Sequence, residues 1–306
     1  MGSSIQTEQE LWYCDWMKDL KDNTPIYHVS LPGTHNSAAC INFPFVDTFS
    51  NCQSMNIENQ LLAGIRCFDL RCSFAGDSLY MYHDIIYLHQ TLHSILQQIL
   101  DFITKYPSEF AVIKIKEEGT HSPNFEDTFW NIMQNIGVEH FWTTQESNQV
   151  PTVRGLHGKM LILDQFSSTR EWLISKYGLA YNHGWSQWKV QDEYWLGTRY
   201  YIPDKIEKVL QTLDAGNSHD GFLVNFLSGT GILVNPLYVA AGVNLGPSFG
   251  PFDNLFFPSS ANFKGMNNVA MEYMNTHKPK YVGIVYADYP GSELIKNIID
   301  CNFREQ

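Results

Sequence analysis

The chain has 306 residues, 44% hydrophobic and 17% charged, a composition that suits one large globular domain or two small ones and excludes a disordered or fibrous protein. A net charge of −12, with only 20 basic residues, argues against a nucleic-acid partner and against adsorption to an anionic membrane by charge alone. Aromatic residues reach 14%, which leaves room for insertion into lipid by rings, and no uncharged apolar run is long enough to span a bilayer.

In chain order, Met1–Glu10 (MGSSIQTEQE) has neither a basic start nor an apolar centre, so no secretory signal is expected. Gly2 does not open a myristoylation motif, because Gln6 stands where that motif takes Ser or Thr. The expected location is the cytoplasm or a membrane periphery, with non-classical export as the alternative. Residues 1–24 are expected to form a helical extension. Tyr27–Leu31 reads as a strand, ended by the Pro-Gly pair of SLPGTHNS (Ser30–Ser37). Ile65–Arg71, opened by Gly64, reads as the next strand, and Leu79–His83 as another. Leu92, Ile95, Leu96, Ile99 and Ile103 recur at helical spacing up to Pro107. Phe110–Lys116 returns to strand, Asn124–Asn135 is helical, Met160–Asp164 is strand and Arg170–Tyr177 helix. A helix from Asp204, a strand Phe222–Phe226, a helix from Met266, a strand Tyr281–Tyr286 and a helix after Gly291 complete the series.

Strands alternating with helices predict an α/β fold with a mainly parallel sheet, either a (β/α) barrel or a doubly wound sheet. Both collect chemistry at the carboxyl ends of strands. His35, Arg71, His83, Lys116 and Asp288 stand at such ends. Asp69 and Arg71 are two apart on a strand, so they share a face, and a structural ion pair is the plain alternative to a site. Glu117 and Glu118 are expected to be a solvated strand end, and Trp185, Trp188 and Trp195 to pack around the barrel. The cysteines, Cys14, Cys40, Cys52, Cys67, Cys72 and Cys301, form no CxxC pair, so zinc and redox motifs are missing and free thiols are expected. A Cys40–Cys52 bridge is the alternative if the protein is exported.

His35 after Pro-Gly-Thr, then GIRCFDLR (Gly64–Arg71), then the strand-ending His83 resembles the X domain of phosphatidylinositol-specific phospholipase C. Tyr106–Glu109 before FAVIKIK, Val190–Tyr194 (VQDEY) and Val282–Tyr289 (VGIVYADY) continue the resemblance in the family's order. It implies a distorted (β/α)8 TIM barrel, with residues 1–306 a single domain. It also implies cleavage of phosphatidylinositol to diacylglycerol and inositol 1,2-cyclic phosphate. By resemblance His35 is the general base, Asp288 its orienting carboxylate, His83 the general acid with Asp69 as partner, and Arg71 the clamp on the phosphate. Inositol hydroxyls would meet Lys116, Gln165 and Asp192, and Tyr194 would stack on the ring. Arg71 stands where calcium-dependent relatives carry a carboxylate, so a metal-independent enzyme of the bacterial type is expected, with no cofactor and no metal.

Two positions depart from the bacterial pattern. Asn36 replaces an aspartate that assists protonation of the leaving group, and Asp164-Gln165 stands where a sugar-binding arginine is expected. Phe43 and Phe45, just after the His35 turn, are candidate membrane contacts, as are the Gly/Pro-punctuated segments 229–234 and 245–252, for which folding back onto the core is the plainer role. The partner is then a membrane inositol lipid, free or glycosylated, met by a monomer. Few basic residues near the site count against heavily phosphorylated headgroups. Two other functions remain open on the sequence. A glycerophosphodiester phosphodiesterase would need clustered carboxylates for a divalent ion. A non-catalytic inositol-lipid binder would need no acid and base together.

Overall fold

In the computed structural model the described residues are 13–40, 51–144, 150–166, 177–182, 188–197, 201–231, 234–243 and 263–304. The strands are β1 (Leu31–Thr34), β2 (Cys67–Ala75), β3 (Ser78–His83), β4 (Ile86–Thr91), β5 (Ala111–Glu117), β6 (Met160–Gln165), β7 (Gly178–Ala180), β8 (Trp188–Gln191), β9 (Phe222–Phe226), the short pair β10 (Gly242–Val243) and β11 (Phe263–Lys264), and β12 (Ile284–Ala287). The hydrogen-bonded path runs β7-β6-β5-β2-β1-β12-β9-β8, parallel at every step, with β3 added antiparallel on β2 and β4 antiparallel on β3.

One pairing decides between the two candidate folds. The first strand lies beside the last, Leu31 opposite Ile284 through Thr34 opposite Ala287. A doubly wound sheet runs outward from its first strand in both directions, whereas here the chain runs outward from β1 to β7, resumes at β8 and runs inward to β12 beside β1, the cyclic order of a TIM-type barrel. β7 and β8 are the two ends of the path, and among the described residues no ladder joins them, so the barrel is distorted there.

Helices form where apolar spacing and caps agree. Leu92–Lys105 starts at a capping box, Thr91 with Ser94, and buries Leu92, Ile95, Leu96, Ile99 and Ile103 on one face. It stops just short of Pro107, which disfavours helical backbone in the residue before it. The helices Phe125–Ile136, Ile202–Ala215, Met266–His277 and Ser292–Cys301 cover other sectors of the sheet. No helix among the described residues is long and apolar enough to cross a membrane.

Two expected strands shift. Residues 26–28 form a 3-10 turn, and β1 begins at Leu31, so Pro32-Gly33 is the middle of the strand and not its end. A Cβ on Gly33 would stand 2.8 Å from the Tyr286 ring and 2.9 Å from Cys67 Cβ, so the glycine permits neighbours to pack against bare backbone. The last strand begins at Ile284 and not Tyr281, because Gly283 adopts φ +72°. The expected helix Arg170–Tyr177 lies outside the described residues except for Tyr177, and so do Trp185, Phe43 and Phe45. Of the expected N-terminal helical extension, the described part holds no α-helix and the 3-10 turn Trp16–Asp19. All six cysteines are free thiols.

The turn at the N-terminus is anchored by a buried ion pair. Arg66 and Glu109 are both fully buried, with Arg66 Nη2 2.7 Å and Nε 2.9 Å from Glu109 Oε2. The other guanidinium donors go to the carbonyls of Leu61, Ile65, Tyr13 and Cys14, so the fork is saturated. Glu109 Oε1 also accepts the Met17 N–H. The arginine of the GIR motif is therefore architectural. Glu109→Ala would strand a buried cation and is expected to cost about 3–5 kcal/mol. A urea titration reads it as a lowered midpoint, and an unchanged midpoint would refute this role.

Candidate active site

The β1–β12 register builds the centre of the site. With Thr34 opposite Ala287, the residues that follow them, His35 and Asp288, emerge side by side at the carboxyl ends of the strands. The His35 N–H donates to Ala287 O at 3.0 Å, and Gln53 Nε2 ties His35 O (2.7 Å) to Ala287 O (3.1 Å). On this rigid base His35 Nδ1 meets Asp288 Oδ1 at 2.8 Å, the carboxylate being buried.

The other ring nitrogen, Nε2, lies 2.7 Å from Arg71 Nη2. A guanidinium only donates, so Nε2 must accept and Nδ1–H must donate to Asp288. Donor inventory thus selects the tautomer with its accepting lone pair on Nε2. Arg71 is held in turn by Asp69, whose Oδ2 is 3.2 Å from Nε and 3.1 Å from Nη2. Asp69 Oδ1 takes Lys114 Nζ at 2.6 Å, and Oδ2 also accepts the Asn36 N–H at 3.2 Å. Lys114 is enclosed by the rings of Tyr181 and Phe226, 5.3 and 5.7 Å from its ammonium.

Charges in this wall perturb one another. Burial alone would raise the Asp69 carboxyl, but Arg71, then Lys114 and His35, hold it well below the usual carboxylate range. Burial would lower Arg71, yet Asp69 and Glu118 hold it above its ordinary value. For Lys114 burial dominates and Arg71 adds to it, so its ammonium is shifted down despite Asp69. Asp192 is shifted up, by burial first and by Asp69 second. Asp164 is pushed up to about 7 by burial among apolar neighbours, against the one Phe166 N–H that it accepts.

His35, Arg71, Lys114 and Asp192 open onto a cavity of about 670 Å³. His35, Arg71, His83, Asp288, Lys116, Gln165, Asp192 and Tyr194 all line it, so the structure brings these sequence candidates to one place. Asp69 and Asn36 stand behind the wall, fully buried. The Asn36 carboxamide finds no protein partner among the described residues, and its backbone takes φ +39°.

Two expectations are corrected here. Glu117 and Glu118 are not a solvated strand end. Glu118 faces the cavity and pairs with Lys116 at 3.3 Å, while Glu117 accepts the Ser122 N–H at 2.6 Å and contacts His121 at 2.7 Å. Their strand continues into a folded turn, which shields both. Trp195 does not pack around the barrel: it is 54% exposed at the cavity mouth, on a loop after β8 that carries it outward. Trp188 does pack, stacked on Phe222 at 4.3 Å.

Lys114, Glu118 and Cys52 were missed as site residues. Lys114 had a readable signal. It is two residues before Lys116, hence on the same face, and the register sets Asp69 opposite Lys114 and Arg71 opposite Lys116. Cys52 had none, since it reaches the site by a long-range fold contact. Among the described residues, His35, Cys52 and Asp288 form the one group of three histidine, cysteine or carboxylate side chains with ligand atoms mutually within 4.8 Å. Two of those atoms already bond each other, which leaves a metal ion little room.

The class defined so far is a distorted TIM-type barrel with a histidine–aspartate dyad and an arginine at the carboxyl ends of its strands. The family model "Phosphatidylinositol-specific phospholipase C, X domain" matches residues 25–166. A 1-phosphatidylinositol phosphodiesterase of Listeria monocytogenes is 27% identical over 98% of this chain and 86% of that protein. One of Staphylococcus aureus is 25% identical over 70% of this chain and 74% of its own length. The solved phosphatidylinositol-specific phospholipase C of Listeria monocytogenes superposes with a TM-score of 0.74 at 25% identity, covering 95% of this chain and 98% of that one. Over residues 25–166 the chain matches the X-domain model of phosphatidylinositol-specific phospholipase C, and over nearly its whole length it is similar to bacterial enzymes of that kind.

Proposed function

We propose that the protein is a phospholipase C that cleaves phosphatidylinositol without a metal ion, by histidine base and histidine acid catalysis. The observation that carries this is the His35 ring, bonded to Asp288 through one nitrogen and facing Arg71 and the cavity through the other. In the reaction His35 Nε2 takes the proton of the inositol 2-hydroxyl, and that oxygen bonds to phosphorus. The bond from phosphorus to the glycerol oxygen breaks, and His83 supplies the proton that makes diacylglycerol. Inositol 1,2-cyclic phosphate remains. Asp288 stabilises the imidazolium, as a buried carboxylate does in other dyads. Arg71 turns Nη2 from His35 Nε2 to the phosphate oxygens and supplies, from a guanidinium anchored by Asp69, the charge that a cation would otherwise bring. Lys116, Gln165, Asp192 and Tyr194 line the space left for the inositol ring.

The mouth of the cavity is apolar where a bilayer would meet it. Ile85 at the β3–β4 turn is 86% exposed, and Tyr194 and Trp195 are exposed beside it on the cavity wall. Leu237 and Tyr238, also exposed, follow the cavity-lining Pro236. Such a rim matches a substrate presented in a membrane.

A phosphorus NMR time course on phosphatidylinositol vesicles in EDTA tests the proposal. The expected record is loss of the lipid signal and growth of a cyclic phosphodiester signal at the rate seen without chelator. Vesicles should be cleaved faster than the same lipid dispersed as monomers. Activity abolished by EDTA would overturn the metal-free mechanism. An unchanged lipid signal would leave a binder, and equal rates on the two lipid forms would remove the rim's role.

A further inference from the structure

Behind the dyad stands a thiol. Cys52 belongs to a loop stitched to both strands of the site. Its N–H donates to Ala39 O at 3.0 Å, its carbonyl accepts the Tyr289 N–H at 2.9 Å, and the adjacent Gln53 bridges His35 and Ala287. These bonds carry the side chain to the back of Asp288. There a His35 ring nitrogen, Cys52 Sγ and an Asp288 carboxylate oxygen lie within 4.8 Å of one another, all buried. His35 occupies Asp288 Oδ1. Oδ2 is buried and has no hydrogen-bond donor among the described residues, and the neighbouring thiol does not yet meet it in bonding geometry. A buried carboxylate oxygen without a donor is costly, and a thiol is a weak donor of the right size.

We propose that Cys52 is a positioning residue whose S–H closes onto the Asp288 carboxylate as the donor that Oδ2 lacks, and so holds Oδ1 toward His35 Nδ1. The torsion that swings a carboxylate about its last bond is broad and two-fold, so one bonded oxygen restrains it weakly. A donor on the second oxygen removes that freedom, and the imidazole then presents Nε2 to the cavity in one orientation. Burial, with Asp288 adding to it, pushes the thiol well above its usual range, so the hydrogen stays in place wherever the dyad works. Cys52 does not touch substrate and acts through Asp288. Only the kinetic consequence rests on the function proposed above.

The test compares wild type with Cys52→Ala, which removes the donor, and Cys52→Ser, which keeps one. Two readings are taken: kcat and KM on phosphatidylinositol vesicles, and the downfield proton NMR signal of His35 Nδ1–H, assigned by its loss in His35→Ala. Cys52→Ala is expected to lower kcat about tenfold, the effect of one hydrogen bond to a charged group, with KM unchanged. Its downfield signal should broaden or move, and Cys52→Ser should restore both readings. A folded Cys52→Ala with wild-type kcat and an unmoved signal would overturn the proposal, as would a Cys52→Ser as impaired as Cys52→Ala. If wild type cleaves no phosphatidylinositol, the functional proposal fails while the NMR reading still decides the role of Cys52. If Cys52→Ala does not fold, Cys52→Val fills the space without a donor. Should that also melt, the S–H stretching band lost in Cys52→Ser decides: a downshifted wild-type band supports the bond, and a free-thiol frequency refutes it.

Discussion

His35→Ala is expected to lower turnover of phosphatidylinositol by about 10²- to 10⁴-fold, the range a positioned general base contributes. The side chain is largely buried at a strand end, yet its ring carries no part of the hydrophobic core, so the fold should survive, and circular dichroism would confirm that. The size of the effect follows from position. Nε2 is the ring atom whose lone pair faces the cavity, and the 2.8 Å bond from Nδ1 to Asp288 offsets the charge that forms when it takes a proton. KM should change little, because the ring makes its decisive interaction only as the proton moves. Asp288→Asn should be impaired as well, and the double replacement should be little worse than His35→Ala, since the two groups act as a unit. A His35→Ala enzyme within fivefold (about 1 kcal/mol) of wild type would remove the base from the mechanism and the proposal with it.

Arg71→Lys is expected to cost about 10²- to 10³-fold in kcat, the loss that follows removal of one aimed donor to developing charge. Lysine keeps the charge but not the fork. In the structure Nε and Nη2 bind Asp69 while Nη2 also reaches His35 Nε2, three engagements that a single ammonium cannot reproduce. Asp69 is held well below the usual carboxylate range by Arg71 and Lys114, against its own burial, so it stays ionised and keeps aiming the guanidinium down to strongly acidic solution. The acid limb of the pH–rate profile should therefore belong to another group, and Asp69→Asn should impair kcat by loosening Arg71. If Arg71→Lys retained wild-type kcat, the phosphate would have to be neutralised by Lys114 or Lys116 instead, and the two lysines would become the next residues to replace.

Much of the site was legible before any fold existed. Helix Leu92–Lys105 and strands β5, β6 and β9 follow from side-chain periodicity and end signals, which are local properties of the chain. His35, Arg71, His83 and Asp288 were recognisable as polar residues at strand ends and as the motifs that surround them. The rest depends on register. Nothing within SLPGTHNS says that β1 pairs with the last strand, yet that pairing alone sets His35 against Asp288. Lys114 became a site residue because β5 lies beside β2 in the register that opposes it to Asp69. Glu118 and Trp195 were misjudged because exposure after a strand end is set by the turns that follow, and those turns are packed by distant residues.

The sequence by itself determined the alternation of strands and helices, the residue types at the strand ends and the family resemblance, since each of these lies in a short stretch read in order. Tertiary structure decided that the sheet curls until its first and last strands meet, which histidine nitrogen faces the cavity, and that a buried thiol stands behind the aspartate. The physical reason is range: periodicity, caps and turns act over a few residues, whereas Cys52, His35 and Asp288 are brought within 4.8 Å of one another only by the packing of the whole barrel.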